Sequence, residues 1–97
     1  MGVVVRLQPA GRAEALEALA TAEAAPKRST ETAASALRWA EADGDVETMV
    51  IAARALGLAA RAVEDFEQAG RHLDLAIELA EDHGLDLHAG QARMSLA

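Results

Sequence analysis

The sequence predicts an all-α protein of about five helices, arranged as antiparallel helical hairpins that stack into a short solenoid. Three observations favour this fold class. Small and apolar residues recur at an offset of forty residues, alanine accounts for 25 of the 97 residues, and glycines punctuate the helical stretches. A fixed period near forty is typical of repeats built from one helical hairpin each, and alanine has the highest helix propensity.

The forty-residue offset pairs residues of similar type along most of the chain. We expect the paired residues to occupy equivalent positions in successive hairpins. Forward from the middle of the sequence, the offset aligns Ala36 with Ala76, Ala40 with Ala80, Gly44 with Gly84, Ala52 with Ala92 and Leu56 with Leu96. Backward, it aligns Ala13 with Ala53, Leu16 with Leu56 and Ala20 with Ala60.

The first helix is expected over residues 10–24, after an N-terminal tail of residues 1–9. Pro26 ends this helical stretch, because the residue before a proline is biased away from the helical region. Residues spaced by three and four lie on one face of a helix, and an apolar set with this spacing predicts the buried face. Here that set is Ala13, Leu16 and Ala20, continued by Glu23.

The second helix can begin at Pro26, which suits the first turn of a helix. Ser29 or Thr30 is an alternative start, because either hydroxyl can cap a helix N-terminus. The helix should run to about residue 42, and its apolar face consists of Ala33, Ala36, Leu37 and Ala40.

A joint at Asp43-Gly44-Asp45 separates the second helix from the third. Gly44 can adopt the left-handed conformation that ends many helices, and Asp45 is a good N-cap. The third helix is expected over residues 46–63. One side of it carries Val50, Ala53, Leu56, Gly57 and Ala60.

The fourth and fifth helices follow from two further capping signals. Asp65 with Gln68 forms a capping-box pattern, and His83-Gly84 should end the helix that it begins. Asp86 can then cap a fifth helix through residue 97. The expected apolar residues are Phe66, Ala69, Leu73, Ala76, Ile77 and Ala80 in the fourth helix, and Ala89, Ala92 and Leu96 in the fifth.

These elements divide the chain into a tail, two full repeats and one further helix. The repeats are residues 10–42 and 45–83, and residues 86–97 are the first helix of a third repeat. We therefore expect a piece of a longer protein, with a terminal cap as the alternative. A fifth helix without a partner leaves apolar surface bare, which favours a homo-oligomer through that helix.

Composition excludes several functional classes. The net charge of −7 argues against nucleic-acid ligands and against docking on an anionic membrane, and no apolar run approaches the length of a membrane span. The absence of cysteine rules out disulfides and thiolate metal sites within this sequence, and it fits a cytoplasmic location. His72, His83 and His88 follow no familiar zinc spacing, so we expect no metal or other cofactor.

Several residues of the third and fourth helices resemble the tetratricopeptide repeat: Leu56, Gly57, Ala60, Ala69, Leu73 and Ala76. Ala60 and Leu73 stand where that family usually has aromatic residues. The forty-residue period is similar to variant arrays in large bacterial regulatory proteins, including those that precede CHAT peptidase domains. The resemblance implies a right-handed solenoid, with these residues at helix–helix contacts and with the first helices lining a concave surface.

Within this resemblance, the groove-lining positions of the middle repeat are Arg54, Leu58 and Arg61. Their spacing places them on one helical face, where two guanidiniums beside an apolar side chain can bind an acidic or C-terminal peptide segment. The alternative is that both arginines are solvated or pair with nearby carboxylates. The neighbouring first-helix positions are Glu14, Ala18, Thr21 and Met94, and Trp39 is expected to fill the joint between hairpins.

No residue pattern indicates catalysis. No serine has a nucleophile motif around it, and histidines near a helix end are favoured by the helix dipole. We therefore predict a non-enzymatic module that binds a protein or a peptide on the concave first-helix face. The alternatives are a self-associating structural spacer, or the regulatory arm of a larger bacterial peptidase or signalling protein.

Overall fold

The computed structural model describes residues 10–96 of the chain. Within that range the backbone forms five helices and no strand, so the predicted all-α class and the number of helices are confirmed. The predicted tail of residues 1–9 and the predicted end of the last helix at Ala97 lie outside the described residues. The helices are α1 (Ala10–Thr21), α2 (Pro26–Asp43), α3 (Val46–Ala62), α4 (Phe66–Asp82) and α5 (Asp86–Leu96).

The helices stack in an open arrangement rather than a closed bundle. Each helix packs against its neighbours in the sequence, and α3 also contacts both α1 and α5. Over residues 10–96, α1 does not touch α5, and α2 does not touch α4. The row α1–α3–α5 therefore has α3 at its centre, with four helices around it. No helix in the described part of the chain combines the length and the apolar character needed to cross a membrane.

The forty-residue period holds for α2 to α5. The helices α2 and α4 begin at Pro26 and Phe66, and α3 and α5 begin at Val46 and Asp86. The aligned alanines at positions 36 and 76, 40 and 80, and 52 and 92 are all fully buried. The aligned turn residues Gly44 and Gly84 both have left-handed backbone, with φ of 73° and 70°. The repeat in the sequence is therefore a repeat of helix positions and of burial.

The helix α1 departs from this period. Its buried alanines, Ala15 and Ala18, face α2 and α3, whereas Leu16 is 49% exposed and its counterpart Leu56 is 7% exposed. The predicted face of Ala13, Leu16 and Ala20 is therefore wrong. Alanine lies on nearly every side of α1, so the apolar spacing does not single out one face, and packing against α2 and α3 decides which side is buried.

The predicted joints between helices are present. The Gly44 N–H donates to the carbonyl of Ala40 at the end of α2, and the Asp45 carboxylate accepts from the Thr48 N–H at the start of α3. Asp65 caps α4 in the same way, through the Gln68 N–H. Asp86 is itself the first residue of α5 rather than its cap. Satisfying these otherwise unpaired N–H groups explains why the helices begin where they do.

Large side chains pack over glycines and alanines in this core. Leu73 is 1% exposed, and a Cβ built on Gly57 would lie 2.7 Å from the Leu73 Cγ. The Trp39 ring lies against Gly11 in α1, within the first hairpin rather than between hairpins. Leu56, Ala69 and Ala76 are also buried, and Ala60 is half-buried. Phe66 is the exception, because its side chain is 65% exposed and does not belong to the buried face of α4.

Candidate functional site

The structure places Arg54, Leu58 and Arg61 on one side of α3, facing α5. Both guanidiniums contact Ser95 in the last turn of α5. Leu58 lies between the two arginines along the helix and is half-buried. We call this surface, made by Arg54, Leu58 and Arg61, the arginine face. It belongs to the α1–α3–α5 row.

Arg54 has a partly buried charge with only neutral partners. Its Nε donates to the Ser95 Oγ at 3.3 Å, and its Nη1 donates to the Gln91 Oε1 at 3.4 Å. Both distances are long for hydrogen bonds from a guanidinium. Burial lowers the pKa of Arg54 from its usual value, and no carboxylate among residues 11–96 forms an ion pair with it. A ligand carboxylate would therefore find an uncompensated cation.

Arg61 lies at the other end of the arginine face and, unlike Arg54, has a carboxylate near it. Its Nη1 donates to the main-chain carbonyl of Ser95, which lies at the negative end of the α5 dipole. Its Nη2 lies 3.9 Å from the Glu23 Oε2, in an ion pair whose arginine and glutamate side chains are 41% and 77% exposed. An ion pair of this kind contributes little to stability, so Arg61 remains able to exchange partners.

A second polar cluster lies at the opposite end of the row, where α3 begins. We call it the Arg12 cluster; it consists of Arg12, Asp45, Glu47, Thr48 and His88. The Arg12 Nη2 lies 3.1 Å from the Asp45 Oδ1, and its Nη1 lies 3.0 Å from the Glu47 Oε1. The Arg12 Nε and the Thr48 hydroxyl complete the cluster, because the hydroxyl accepts from Nε at 3.0 Å and donates to Asp45 at 2.7 Å.

Glu47 links all three helices of the row. One carboxylate oxygen accepts from Arg12 in α1, and the other lies 2.8 Å from the His88 Nε2 in α5. The hydrogen bond with His88 is the main cause of the lowered pKa of Glu47, and Arg12 adds to it. Burial alone would raise the pKa of Asp45, but hydrogen bonds from Thr48 and the charge of Arg12 outweigh that effect and lower it.

The lowered pKa values of Asp45 and Glu47 predict acid sensitivity. A carboxylate whose pKa is lower in the folded protein stabilises it fully above the unfolded pKa, and this contribution is lost as the pH falls below about 4. Asp45→Asn keeps a side chain that can cap the helix but removes the titrating carboxylate. We therefore expect the unfolding free energy of this variant to fall less between pH 5 and pH 3 than that of the wild type. Urea unfolding at each pH measures it.

The matched control is Asp43→Asn, at an exposed residue of the same joint, two residues before Asp45. This variant should keep the wild-type dependence on pH. The interpretation of the Arg12 cluster is wrong if Asp45→Asn and Asp43→Asn change the dependence equally.

The neighbours of the arginine face differ from the expected ones. Ala18 is fully buried, and its carbonyl accepts from the Ser29 hydroxyl at 2.7 Å. Met94 is 79% exposed on the far side of α5. The residues that contact the face are instead Glu23, Gln91 and Ser95. These neighbours depend on how α1 and α5 pack beside α3. The forty-residue alignment of the sequence does not contain that information.

Other polar groups are engaged in structural contacts. The Ser95 hydroxyl donates to the Gln91 carbonyl, and the His83 Nδ1 lies 2.9 Å from the Leu79 carbonyl. Across the described residues, no three histidine or acidic side chains are grouped so as to hold a metal ion. The imidazole of His83 and that of His88 each have a polar partner, the Leu79 carbonyl and the Glu47 carboxylate respectively.

A groove of about 330 Å³ lies between the start of α2 and the end of α3. It is lined by Pro26, Lys27, Thr30, Glu31, Ala59 and Val63. The Thr30 hydroxyl donates to the Pro26 carbonyl, so it is already engaged. Ala59 lies on a different side of α3 from the arginine face, and Val63 follows directly after α3. The groove is a separate feature that offers mainly apolar contact.

Comparison with known proteins adds no family to these observations. No protein-family model matches the chain, and neither curated proteins nor solved structures gave a match.

Proposed function

We propose that this chain is a non-enzymatic protein–protein interaction module that binds an anionic peptide segment on the arginine face. The observation that carries the proposal is Arg54, a partly buried guanidinium with two long hydrogen bonds to neutral side chains. A guanidinium and a carboxylate form shorter, charge-assisted bonds, often two at once. Binding an anion would therefore improve on the contacts that Arg54 makes without a ligand.

The composition of the face supports an amphipathic ligand. Leu58 lies four residues after Arg54 and three residues before Arg61. A ligand with an apolar side chain between two acidic groups would therefore match the sequence of charges and apolar surface along the arginine face. The ligand need not be long, because Arg54 and Arg61 are seven residues apart on a helix that rises about 1.5 Å per residue. We infer a segment of three to five residues in extended form.

Electrostatics add a reason for selectivity. The chain carries a net charge of −7, so most of its surface repels acidic peptides. The arginine face differs from that surface because Arg54 and Arg61 place two positive charges there, and these charges favour an acidic peptide at this position over others. Glu23 already approaches Arg61 and would be displaced or shared on binding.

The proposal predicts that neutralising the arginines abolishes binding of acidic peptides. A probe of two glutamates flanking a leucine, with a free C-terminal carboxylate, is titrated by calorimetry against its amidated glutamine counterpart. We expect Arg54→Ala to weaken binding about tenfold or more, since a hydrogen bond to a charged group contributes about 1.5–3 kcal/mol. Arg61→Ala should have a smaller effect because Arg61 is more exposed.

The matched control is Arg71→Ala, which removes an exposed arginine of α4 that pairs with Glu67. This variant should bind the acidic probe as the wild type does. The proposal is overturned if the acidic and neutral probes bind equally, or if the double variant Arg54→Ala/Arg61→Ala keeps wild-type affinity.

A further inference from the structure

The side of α5 that faces away from the other helices carries an apolar stripe. Leu87 is 73% exposed and Met94 is 79% exposed, and Gly90 lies between them on the same side at a spacing of three and four residues. A Cβ built on Gly90 would meet no atom within 4 Å. The opposite side of α5 is buried through Ala89 and Ala92. We call Leu87, Gly90 and Met94 the outer stripe.

Two charges of opposite sign flank the outer stripe. Asp86 and Arg93 are seven residues apart and therefore lie on the same flank of α5. Arg93 forms an ion pair with Glu81 of α4, yet its side chain remains more than half exposed. The other flank carries the neutral residues Gln91 and Ser95, which contact the arginine face. The charge pattern of α5 is thus negative at the start of one flank and positive near its end.

We propose that the outer stripe is a homodimer contact, in which α5 packs antiparallel against α5 of a second copy. A two-fold axis beside Gly90 places Leu87 against Met94 of the second copy. The same axis brings Asp86 close to Arg93 of the second copy, and the reciprocal pair forms as well. The stripe and its charged flank are therefore complementary to themselves only in the antiparallel orientation, as an isologous interface requires.

The absence of a side chain at Gly90 permits a close crossing. Packed helices are usually 8–10 Å apart, depending on the side chains at the contact. With glycine at the crossing point, the backbones can approach to the lower end of that range, and the long side chains of Leu87 and Met94 close over it. The helix α5 carries one acidic residue, Asp86, and one basic residue, Arg93, so their charges cancel although the whole chain has a net charge of −7.

The contact is small, so the dimer should be weak. Three residues a side bury far less than the roughly 1,600 Å² of a typical stable interface, and we expect dimers to be populated only at protein concentrations of about 100 µM and above. The inference is independent of peptide binding, since the arginine face contacts the other side of α5.

A cysteine-free chain allows a clean cross-linking test. Gly90→Cys is oxidised at increasing protein concentration beside Gly70→Cys, which also alters a helical glycine with open space around it. We expect disulfide-linked dimers of Gly90→Cys to form roughly tenfold faster, because the contact raises the effective thiol concentration. Equal rates for the two variants would overturn the proposal.

Two further measurements distinguish other occupants of the stripe. Leu16→Cys, on the exposed side of α1, is mixed with Gly90→Cys; preferential mixed dimers would mean head-to-tail stacking and would overturn the antiparallel contact. In sedimentation equilibrium, the Asp86→Arg variant should contain a smaller fraction of dimer than the wild type at the same concentration. The double variant Asp86→Arg/Arg93→Asp should recover the wild-type fraction of dimer. A wild type that stays monomeric at about 1 mM, tenfold above the lowest concentration at which dimers are expected, contradicts the proposal.

Discussion

Replacing Leu73 with alanine is expected to lower the free energy of unfolding by about 2–5 kcal/mol. Leu73 is the largest fully buried side chain among the described residues, and it fills the space above Gly57. Alanines form most of the surrounding core, and they have no side-chain freedom with which to fill a cavity. A domain of this size is stable by only about 5–15 kcal/mol, so this single change removes a large part of its stability.

The measurement is urea or thermal unfolding followed by circular dichroism. Leu75→Ala is the matched control, because it makes the same substitution two residues away on α4, where the side chain is 39% exposed. The control should lose no more than about 1 kcal/mol, in line with surface substitutions. If both variants lose the same stability, Leu73 does not have the central packing role described above.

The sequence predicts the joints of this fold because joints depend on local chemistry. Gly44 and Gly84 have the left-handed backbone that glycine adopts without steric cost. Asp45 and Asp65 cap helices through N–H groups three residues away. These features need only a few neighbouring residues, so no knowledge of the tertiary structure is required to find them.

Burial is predicted less well where composition gives no contrast. In α2 and α4 the polar residues leave one apolar face, and the expected alanines are buried. In α1, alanine and leucine occur on several sides, and the structure buries Ala15 and Ala18 instead of Leu16. The prediction for Phe66 is also wrong, because its apolar character places it on the expected buried face of α4 whereas its side chain is 65% exposed.

The candidate site is predictable in part. The spacing of Arg54, Leu58 and Arg61 is sufficient to place them on one helical face, and the structure has all three on the side of α3 near α5. The Arg12 cluster is not predictable in this way, because the contacts that bring Arg12 and His88 to the start of α3 span 33 to 41 residues. Asp45 is the one member that a local signal identifies, and that signal indicates a cap rather than an ion pair.

Replacing Gly57 with leucine is expected to destabilise the protein by about 1–3 kcal/mol or more, because overpacking displaces neighbouring groups. A Cβ at this position would lie 2.7 Å from the Leu73 Cγ and 3.3 Å from the Ala69 carbonyl oxygen. The higher helix propensity of leucine would return less than about 1 kcal/mol, so the steric term decides the sign. Urea unfolding measures the loss.

Gly70→Leu is the matched control, because it makes the same change in α4 where a Cβ meets no atom within 4 Å. It should be neutral or stabilising by up to about 1 kcal/mol through helix propensity. The two substitutions are therefore expected to change the unfolding free energy in opposite directions. A similar effect of both would mean that helix propensity, rather than the close approach of α3 to α4, sets the response at Gly57.

A double-mutant cycle tests the same contact from both sides. Gly57→Ala alone should be destabilising, but in the Leu73→Ala background the new methyl group occupies space that the leucine has vacated. We expect the double variant to be more stable than the sum of the single losses by at least about 0.5 kcal/mol, the limit of ordinary additivity. Strict additivity would show that Gly57 and Leu73 do not share the space that holds α3 against α4.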